Sequence, residues 1–229
     1  MREIVLDTET TGLDPEQGHK IVEIGCVELV NHMPTGRTFQ EYLNPEREMG
    51  EDVIAVHGIT NEFLKDKPKF KEVAEKFIEF IGTDSKLVIH NAAFDMKFLN
   101  AELSTAGYEK LSFDRVIDTL IMARQKFPGS RVNLNELCKR FNVDASRRTV
   151  HGALLDSELL AEVYLELIGG REPGLVLNAQ KSSVQKTEQV HEKVEHIFHE
   201  PRSFPVPSEE LAAHREFLKK ISDNLWEKS

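Results

Sequence analysis

The sequence predicts an α/β fold, in which a mixed sheet is flanked by helices. Three segments of strand character open the chain, and short strands then alternate with helical segments, which is the order typical of α/β proteins. Forty per cent of the 229 residues are hydrophobic, which is enough for a sizeable core and too many for a disordered chain. The length suits one domain with some additional residues.

Hydrophobic periodicity places the individual elements along the chain. A buried run, Ile4 to Leu6, forms the first strand, whereas Phe70 and Phe77 share one face of a predicted helix. The predicted strands cover residues 3–9, 20–30, 38–43, 86–90 and 115–118. The predicted helices cover residues 52–57, 60–64, 70–81, 92–106, 120–126, 134–141 and 153–168, and two glycines end the last of them.

The composition changes after Gly170, so residues 1–170 are expected to form the folded domain. Residues 171–207 are rich in Gln, Ser, Lys, Glu, His and Pro and predict a flexible linker. Residues 208–229 predict an amphipathic helix, whose apolar stripe contains Leu211, Leu218, Ile221 and Leu225. A short isolated helix is only marginally stable. It should therefore fold back on the domain or dock on a partner, and the linker favours the partner.

The charge balance limits how the protein could bind nucleic acid. The chain has 29 Lys and Arg against 39 Asp and Glu, a net charge of −10. Holding duplex DNA by broad phosphate neutralisation needs clustered basic residues, so that mode is disfavoured. Nucleic acid remains possible as a substrate, because bound divalent cations can supply positive charge where a phosphate must sit. Another protein could also hold most of the nucleic acid.

Several features favour a cytoplasmic protein without a membrane segment. No apolar run is long enough to cross a bilayer, and no signal peptide is visible at the N-terminus. Cys26 and Cys138 lie in apolar patterns. Buried free thiols are therefore expected at both positions, rather than a disulfide or a zinc site.

Asp7-Thr8-Glu9 is the first pattern that points to chemistry. Residues two apart on a strand face the same side, about 7 Å apart, and unpaired acids near a sheet centre need a compensating cation. No Lys or Arg follows nearby, so a divalent metal is the economical answer; a solvated strand end is an equally good reading of these residues alone. The turn from Thr10 to Gly12 could hold a phosphate or a nucleotide end, although such turns are common.

Two later segments add further acids and a histidine. Asp95 follows a short strand and lies in a first helical turn, where an acid more often serves the helix dipole. Asp156 lies in an otherwise apolar helical stretch, where an acid needs a reason such as a metal. His151 precedes that helix. A lone histidine is usually structural, but one beside a buried acid is a candidate for a base.

Together the three segments resemble the exonuclease motifs of the DnaQ-like (DEDDh) superfamily. The matching segments are Asp7 to Gly12, Asn91 to Asp95 and His151 to Asp156. Each is weak alone, but their order within one domain is specific. The resemblance covers about residues 1–170 and implies a ribonuclease H-like fold with a central mixed sheet.

The resemblance also implies a role for each matched residue. Asp7, Glu9, Asp95 and Asp156 would hold two divalent metal ions, Mg²⁺ or Mn²⁺, and His151 would be the general base. Two cations suit phosphodiester hydrolysis because they activate water and stabilise developing charge. The product would be a nucleoside 5′-monophosphate.

A closer resemblance is to the epsilon proofreading subunits of bacterial DNA polymerase III. The segments that carry it are Gly18 to Gly25, Val56 to Ile59, Ala161 to Leu165 and Glu210 to His214. It implies a 3′→5′ DNA exonuclease that removes mispaired nucleotides from a frayed, single-stranded 3′ end, with the C-terminal tail bound to the polymerase (alpha) subunit. It also leaves room for a small accessory subunit and for the sliding clamp, although residues 180–184 lack the aromatic end expected of a clamp-binding peptide.

The predicted substrate contacts extend beyond the acids. Asp52 and His57 match positions that contact the terminal nucleotide in this family, where glutamate is commoner than aspartate at the first position. Phe94 is a candidate for stacking on a base, with core packing as an equal alternative. The predicted substrate-binding set is therefore Asp7, Glu9, Thr10, Gly12, Asp52, His57, Phe94 and Asp156.

Two other functions remain open. An RNA exonuclease of the RNase T-like or oligoribonuclease-like type would carry the same catalytic motifs, but such enzymes typically end near the last domain helix. A non-catalytic nuclease-like module that only bridges partners would lack one or more of the carboxylates. This chain keeps all four acids and His151, which disfavours the bridging module.

Overall fold

The first half of the chain builds one mixed sheet. The computed structural model describes residues 1–148, 150–169 and 206–220. The strands are β1 (Arg2–Thr10), β2 (Ile21–Val30), β3 (Met33–Tyr42), β4 (Lys86–Ile89) and β5 (Val116–Asp118). Their order is β3-β2-β1-β4-β5; β1 and β2 pair antiparallel, as do β2 and β3, whereas β4 runs parallel to β1 and to β5. The predicted mixed α/β sheet is therefore confirmed.

Seven helices of the domain follow the sequence pattern closely. They are α1 (Glu51–His57), α2 (Asn61–Leu64), α3 (Phe70–Ile81), α4 (Ala92–Ala106), α5 (Thr119–Lys126), α6 (Leu134–Phe141) and α7 (Ala153–Ile168). Four of these match the predicted bounds at both ends, because capping or glycine signals mark where they stop. For α4, the last turn is closed by the N–H of Gly107, which is in the left-handed region at φ 88°.

The start of the third strand was predicted wrongly. The strand begins at Met33 rather than at residue 38, so β2 and β3 form a hairpin joined by Asn31 and His32. Both of these residues have positive φ, at 50° and 65°. A two-residue turn with two positive φ angles matches the twist of antiparallel strands, and an Asn-His pair is a weak sequence signal for it.

The two faces of β1 pack against different helices. Ile4 and Leu6 belong to one core cluster with Phe77 of α3 and Leu99 of α4. Val5 belongs to a second cluster with residues of α7. Because side chains alternate along a strand, Asp7 and Glu9 lie on the α7 face, whereas Thr8 lies on the face covered by α4. Side chains on both faces of β1 therefore contribute to the site: Asp7 and Glu9 from one face and Thr8 from the other.

A glycine on β2 lets α7 approach the sheet. Gly25 pairs with Asp7 in the strand register, and a Cβ placed on it would lie 2.1 Å from the backbone carbon of Ala153. Only a glycine allows this separation. The hydroxyl of Ser157 donates to the Gly25 carbonyl at 2.9 Å, so the first turn of α7, which carries Asp156, is fixed against the strand beside Asp7.

The C-terminal part of the chain contains the helix α8 (Ser208–Leu218). Within it, Leu211 and Phe217 are exposed and Leu218 is buried. The predicted linker at 171–207, apart from Val206 and Pro207, and the end of the predicted helix at 221–229 lie outside the described residues. In the parts of the chain that the structure describes, no helix is long and apolar enough to span a membrane. Cys26 and Cys138 are free and buried, as predicted.

Candidate active site

The three sequence motifs meet at the end of β1. Asp7 and Glu9 lie on this strand, while Asp95 and Asp156 lie in the first turns of α4 and α7. Ligand atoms of Glu9, His151 and Asp156 all lie within 4.8 Å of one another. Asp7 is partly exposed, whereas Glu9, Asp95 and Asp156 are buried.

Asp95 is held in place by two contacts from β1. Its Oδ1 accepts hydrogen bonds from the Thr8 backbone N–H at 3.0 Å and from the Thr8 hydroxyl at 2.7 Å. The start of α4 is itself fixed by Asp118 at the end of β5, which accepts from the N–H groups of Asn91 and Ala92 at 3.2 and 3.0 Å. One carboxylate oxygen of Asp95 is therefore committed to these contacts with Thr8, which fix the side chain against β1.

The acids of the site repel one another. Burial raises the pKa of Asp7 well above its ordinary value, and the carboxylates of Asp95, Glu9 and Asp156 raise it further. Burial, followed by Asp156 and Glu23, raises the pKa of Glu9 to about 8. Burial also raises the pKa of Asp95 to about 7, although its hydrogen bonds from Thr8 oppose this shift. The acids of this cluster outweigh the nearby positive charge, and a divalent cation with oxygen ligands would supply more of it.

The fold brings one basic residue into this cluster. Arg148 donates to both oxygens of Asp156, from Nε at 2.5 Å to Oδ1 and from Nη2 at 2.7 Å to Oδ2. It also donates from Nη1 to Asn135 Oδ1 at 2.7 Å. The sequence showed only that no Lys or Arg follows Asp7 and Glu9 nearby; Arg148 comes from a segment far along the chain and pairs with Asp156.

His151 lies at the exposed side of the site. Its Nδ1 is 3.5 Å from Asp156 Oδ2 and 2.9 Å from Arg148 Nη2, and its side chain is about half exposed. Its backbone N–H donates to the Val56 carbonyl at 3.1 Å, which links this segment to the end of α1. Burial and the Arg148 charge lower the pKa of His151, against the opposing effect of Asp156. The ring is therefore neutral near pH 7, as a base must be.

The donor set fits a hard divalent cation. Glu9 and Asp156 contribute carboxylate oxygens, and His151 a ring nitrogen, to a group of atoms within 4.8 Å of one another. Asp7 and Asp95 lie outside this group, but the charges of Asp95, Glu9 and Asp156 act on Asp7 and raise its pKa. Oxygen ligands of this kind suit Mg²⁺ and Mn²⁺. Among residues 1–148, 150–169 and 206–220, the group formed by Glu9, His151 and Asp156 is the one set of three or more such side chains that could hold a metal ion.

The structure treats the two predicted nucleotide contacts differently. His57 ends α1 and is 4% exposed; its Nδ1 accepts from the Ile59 N–H at 3.0 Å, whereas its buried Nε2 has no partner. Burial and then the nearby His151 lower its pKa. Asp52 is exposed in the first turn of α1. His57 therefore carries an unsatisfied polar atom that a substrate could bind, and Asp52 carries no comparable sign.

The remaining predicted contacts are Thr10, Gly12 and Phe94, and the structure shows the local packing of each. The Thr10 hydroxyl donates to the Gly12 carbonyl at 2.6 Å and fixes the turn after β1. A Cβ on Gly12 would lie 2.3 Å from the His19 ring, so glycine permits this close approach. Phe94 packs against the core, with its ring 5.1 Å from that of Phe98, yet stays partly exposed. Both predicted roles of Phe94 therefore remain available.

Sequence reasoning missed three residues that position the site. Thr8 holds Asp95, Arg148 pairs with Asp156, and buried Glu23 accepts from the Ala153 N–H at 3.0 Å and so caps α7. The alternation of side chains along β1 places Thr8 on the face opposite to Asp7 and Glu9, and this placement could have been predicted from the sequence. Arg148 and Glu23 act across 8 and 130 residues of the chain, and no local pattern marks such contacts.

Comparison with known proteins agrees with this geometry. The family model described as Exonuclease matches residues 4–164. The DNA polymerase III subunit epsilon of Rickettsia felis is 54% identical over 228 residues, covering 96% of this chain and 97% of the relative. The same subunit of Escherichia coli K12 is 43% identical over 236 residues, covering 98% and 97%. The similarity therefore extends well beyond the exonuclease domain.

Solved structures show the same architecture. The nuclease domain of 3′hExo, a DEDDh family member bound to rAMP, is 25% identical with a TM-score of 0.62, covering 73% of this chain and 91% of that one. Exonuclease X in complex with 5′ overhanging duplex DNA is 25% identical with a TM-score of 0.55, covering 72% and 90%. With this fold, this site and these relatives, the chain belongs to the exonuclease family and, within it, to the DNA polymerase III epsilon subunits.

Proposed function

We propose that this protein is the proofreading subunit of a bacterial DNA polymerase III and removes mispaired nucleotides from the 3′ end of DNA by metal-dependent hydrolysis. The observation that carries the proposal is the convergence of Glu9, His151 and Asp156 within 4.8 Å, beside Asp7 and Asp95. The relatives named DNA polymerase III subunit epsilon match nearly the whole chain, which supports the same assembly here.

Asp7, Glu9 and Asp156 would hold the cations, and Asp95 would complete the set of acids. When bound, two Mg²⁺ or Mn²⁺ ions would lower the pKa of a water molecule and neutralise charge on the scissile phosphate. Thr8 keeps Asp95 aligned, and Gly25 keeps α7 close enough for Asp156 to reach the same point. Burial and neighbouring acids raise the pKa of both Asp7 and Glu9, which is the direction expected where an added positive charge would be stabilising.

His151 would accept the proton of the attacking water on an imidazole nitrogen. Its lowered pKa keeps a lone pair available near neutral pH, and its exposure lets it reach solvent and release the proton. The buried Nε2 of His57, which has no partner in the protein, would bind the terminal nucleotide. Asp52, Thr10, Gly12 and Phe94 would complete the rim of the nucleotide pocket.

The C-terminal tail would hold the polymerase (alpha) subunit. The helix α8 exposes Leu211 and Phe217, which are apolar side chains that a partner could cover. The tail beyond the exonuclease domain is shared with the epsilon relatives, which match 96–98% of this chain. A small accessory subunit and the sliding clamp are further partners to test by co-purification.

The test compares four substrates on the full-length chain. Magnesium-dependent release of mononucleotides should be fastest from single-stranded DNA and from mispaired 3′ ends, and slower from paired ends, because unpairing costs a few kcal/mol. The fourth substrate, a matched RNA strand, should be degraded more slowly than DNA. Preference for RNA would instead favour the RNase T-like or oligoribonuclease-like function.

Two variants that lose the same charge test whether hydrolysis takes place at the acid cluster. Asp7→Asn should abolish nucleotide release, because Asp7 lies among the acids of the site. Asp114→Asn removes the same charge before β5, where the exposed Asp114 side chain contacts Ser112, and should leave release unchanged. Wild-type activity in Asp7→Asn would refute the assignment and leave the non-catalytic bridging module as the better reading.

A further inference from the structure

Two adjacent arginines in the segment before α7 have very different surroundings. The Arg148 side chain is 8% exposed and forms a two-point ion pair with Asp156 at 2.5 and 2.7 Å. The Arg147 side chain is 74% exposed and reaches Glu158 at 3.2 Å. Both residues are arginines and they are adjacent in the chain, but only Arg148 contacts an acid of the site.

The ion pair uses the atoms that a metal would need. Both carboxylate oxygens of Asp156 accept from the guanidinium of Arg148, and Asp156 belongs to the group whose ligand atoms lie within 4.8 Å of one another. A guanidinium stays charged at every physiological pH. The carboxylate keeps further lone pairs, so the competition is one of space and charge. A divalent cation on the side of Asp156 that Arg148 faces would meet a second positive charge at contact distance.

Arg148 also engages the proposed base. Its Nη2 lies 2.9 Å from His151 Nδ1, and because a guanidinium has no acceptor atom, the imidazole nitrogen must accept. The neutral ring then carries its proton on Nε2. The lone pair that would take a proton from water is thus occupied while Arg148 holds this position.

We infer that Arg148 is an electrostatic latch: it takes the place of a divalent cation at Asp156, occupies the lone pair of His151, and is displaced when the cation binds. This rests on the proposed function in taking Asp156 as a metal ligand and His151 as the base. The latch lowers the repulsion among Asp7, Glu9 and Asp156 in the metal-free protein. A bound cation that displaces Arg148 would also free the lone pair of His151.

Metal affinity tests the latch directly. Mn²⁺ titrated into the full-length chain by calorimetry should bind Arg148→Gln about tenfold more tightly than wild type, because a charge-assisted pair no longer competes. Arg147→Gln makes the same change in net charge on the neighbouring residue and should bind Mn²⁺ like wild type. Equal affinities for all three proteins would overturn the latch alone, whereas no binding to any of them would overturn the metal site and the latch together.

Thermal unfolding separates a latch from a merely structural contact. In EDTA, Arg148→Gln should unfold at a lower temperature than wild type, because the acids lose their counter-ion. In saturating Mn²⁺ this difference should shrink or reverse. An equal loss of Tm in both conditions would show a structural role and overturn the inference.

Arginine side-chain NMR on the folded wild-type protein tests the displacement of Arg148 without relying on the stability of a variant. The Nε–H signal of Arg148, assigned with Arg148→Lys, should shift when Mg²⁺ is added to wild type. The corresponding signal of Arg147 should not. An unchanged Arg148 signal at saturating Mg²⁺ would also overturn the latch.

Discussion

The two ends of β1 each bury a glutamate, and the comparison between them shows what marks a functional acid. Glu3 is fully buried near the start of the strand. Its Oε1 accepts from the Tyr164 hydroxyl at 2.7 Å, and its Oε2 accepts from the His32 backbone N–H at 3.2 Å. Glu9 is 8% exposed near the other end, and the groups that most affect its pKa after burial are the acids Asp156, Glu23 and Asp95.

The difference lies in the partners and not in the burial. Glu3 is surrounded by hydrogen-bond donors that satisfy a carboxylate, so its environment is complete within the protein. Burial and the neighbouring carboxylates raise the pKa of Glu9, and the charge of Arg148 opposes them only in part. A buried acid is therefore a functional candidate when its neighbours leave it uncompensated.

The largest expected effect comes from making the same substitution at both ends of the strand. Glu9→Gln should reduce nucleotide release by about 10³-fold or more, because it removes a metal ligand at the reacting phosphate. Glu3→Gln should leave the rate within about twofold of wild type, since its contacts lie at the other end of β1. Single-turnover assays on single-stranded DNA measure both. A similar loss in both variants would break the comparison.

A second prediction concerns the approach of α7 to the sheet. Gly25→Ala should destabilise the protein by about 3 kcal/mol and reduce activity, because the new Cβ would meet the backbone of Ala153 at 2.1 Å and push Asp156 away from Asp7. Gly152→Ala is the matched control at the same junction, since a Cβ there meets nothing within 4 Å. Urea unfolding in EDTA should show the loss for Gly25→Ala alone.

Much of this site could be predicted from the sequence, because its acids lie in regular elements. The period of two on β1 places Asp7 and Glu9 on one face, and an acid in the apolar stretch of α7 already suggested Asp156. Asp95 and His151, taken alone, fitted structural roles better. The order of the three motifs, and the resemblance it carries, is what assigned them to the site.

What could not be predicted depends on contacts between distant segments. Arg148 lies in a segment without periodicity, and its pairing with Asp156 follows from how that segment folds over α7. The unpartnered Nε2 of His57 depends on burial by several elements at once. The hairpin at Asn31 and His32 was missed because two non-glycine residues adopt positive φ there, a conformation that sequence signals only weakly.

A third prediction tests whether the hydrogen bonds to Glu3 stabilise its buried carboxylate. Tyr164→Phe removes the hydroxyl that donates to Glu3 at 2.7 Å and leaves the ring in its core cluster with Val5 and Val27 of the sheet. The free energy of unfolding should fall by about 2 kcal/mol, because a buried carboxyl loses a donor. Nucleotide release at a temperature where the variant is folded should match wild type. Unchanged stability would show that this donor does not matter for Glu3.

A fourth prediction concerns a dependence of stability on pH that arises from Glu9, and Arg148 already offsets part of it. In EDTA, the folded protein raises the pKa of Glu9 from 4.5 to about 8, so it holds this proton more tightly than the unfolded chain does. The free energy of unfolding should therefore fall as pH rises through this window.

Glu9→Gln isolates that contribution, because Asp95 and His151 titrate in both proteins. Between pH 5 and pH 8, Tm measured by calorimetry in EDTA should fall less steeply for the variant than for wild type. Saturating Mg²⁺ should flatten the wild-type profile as well, since a bound cation holds the carboxylate deprotonated. Parallel profiles in EDTA would mean that Glu9 is compensated within the protein, as Glu3 is, and the contrast between the two ends of β1 would fail.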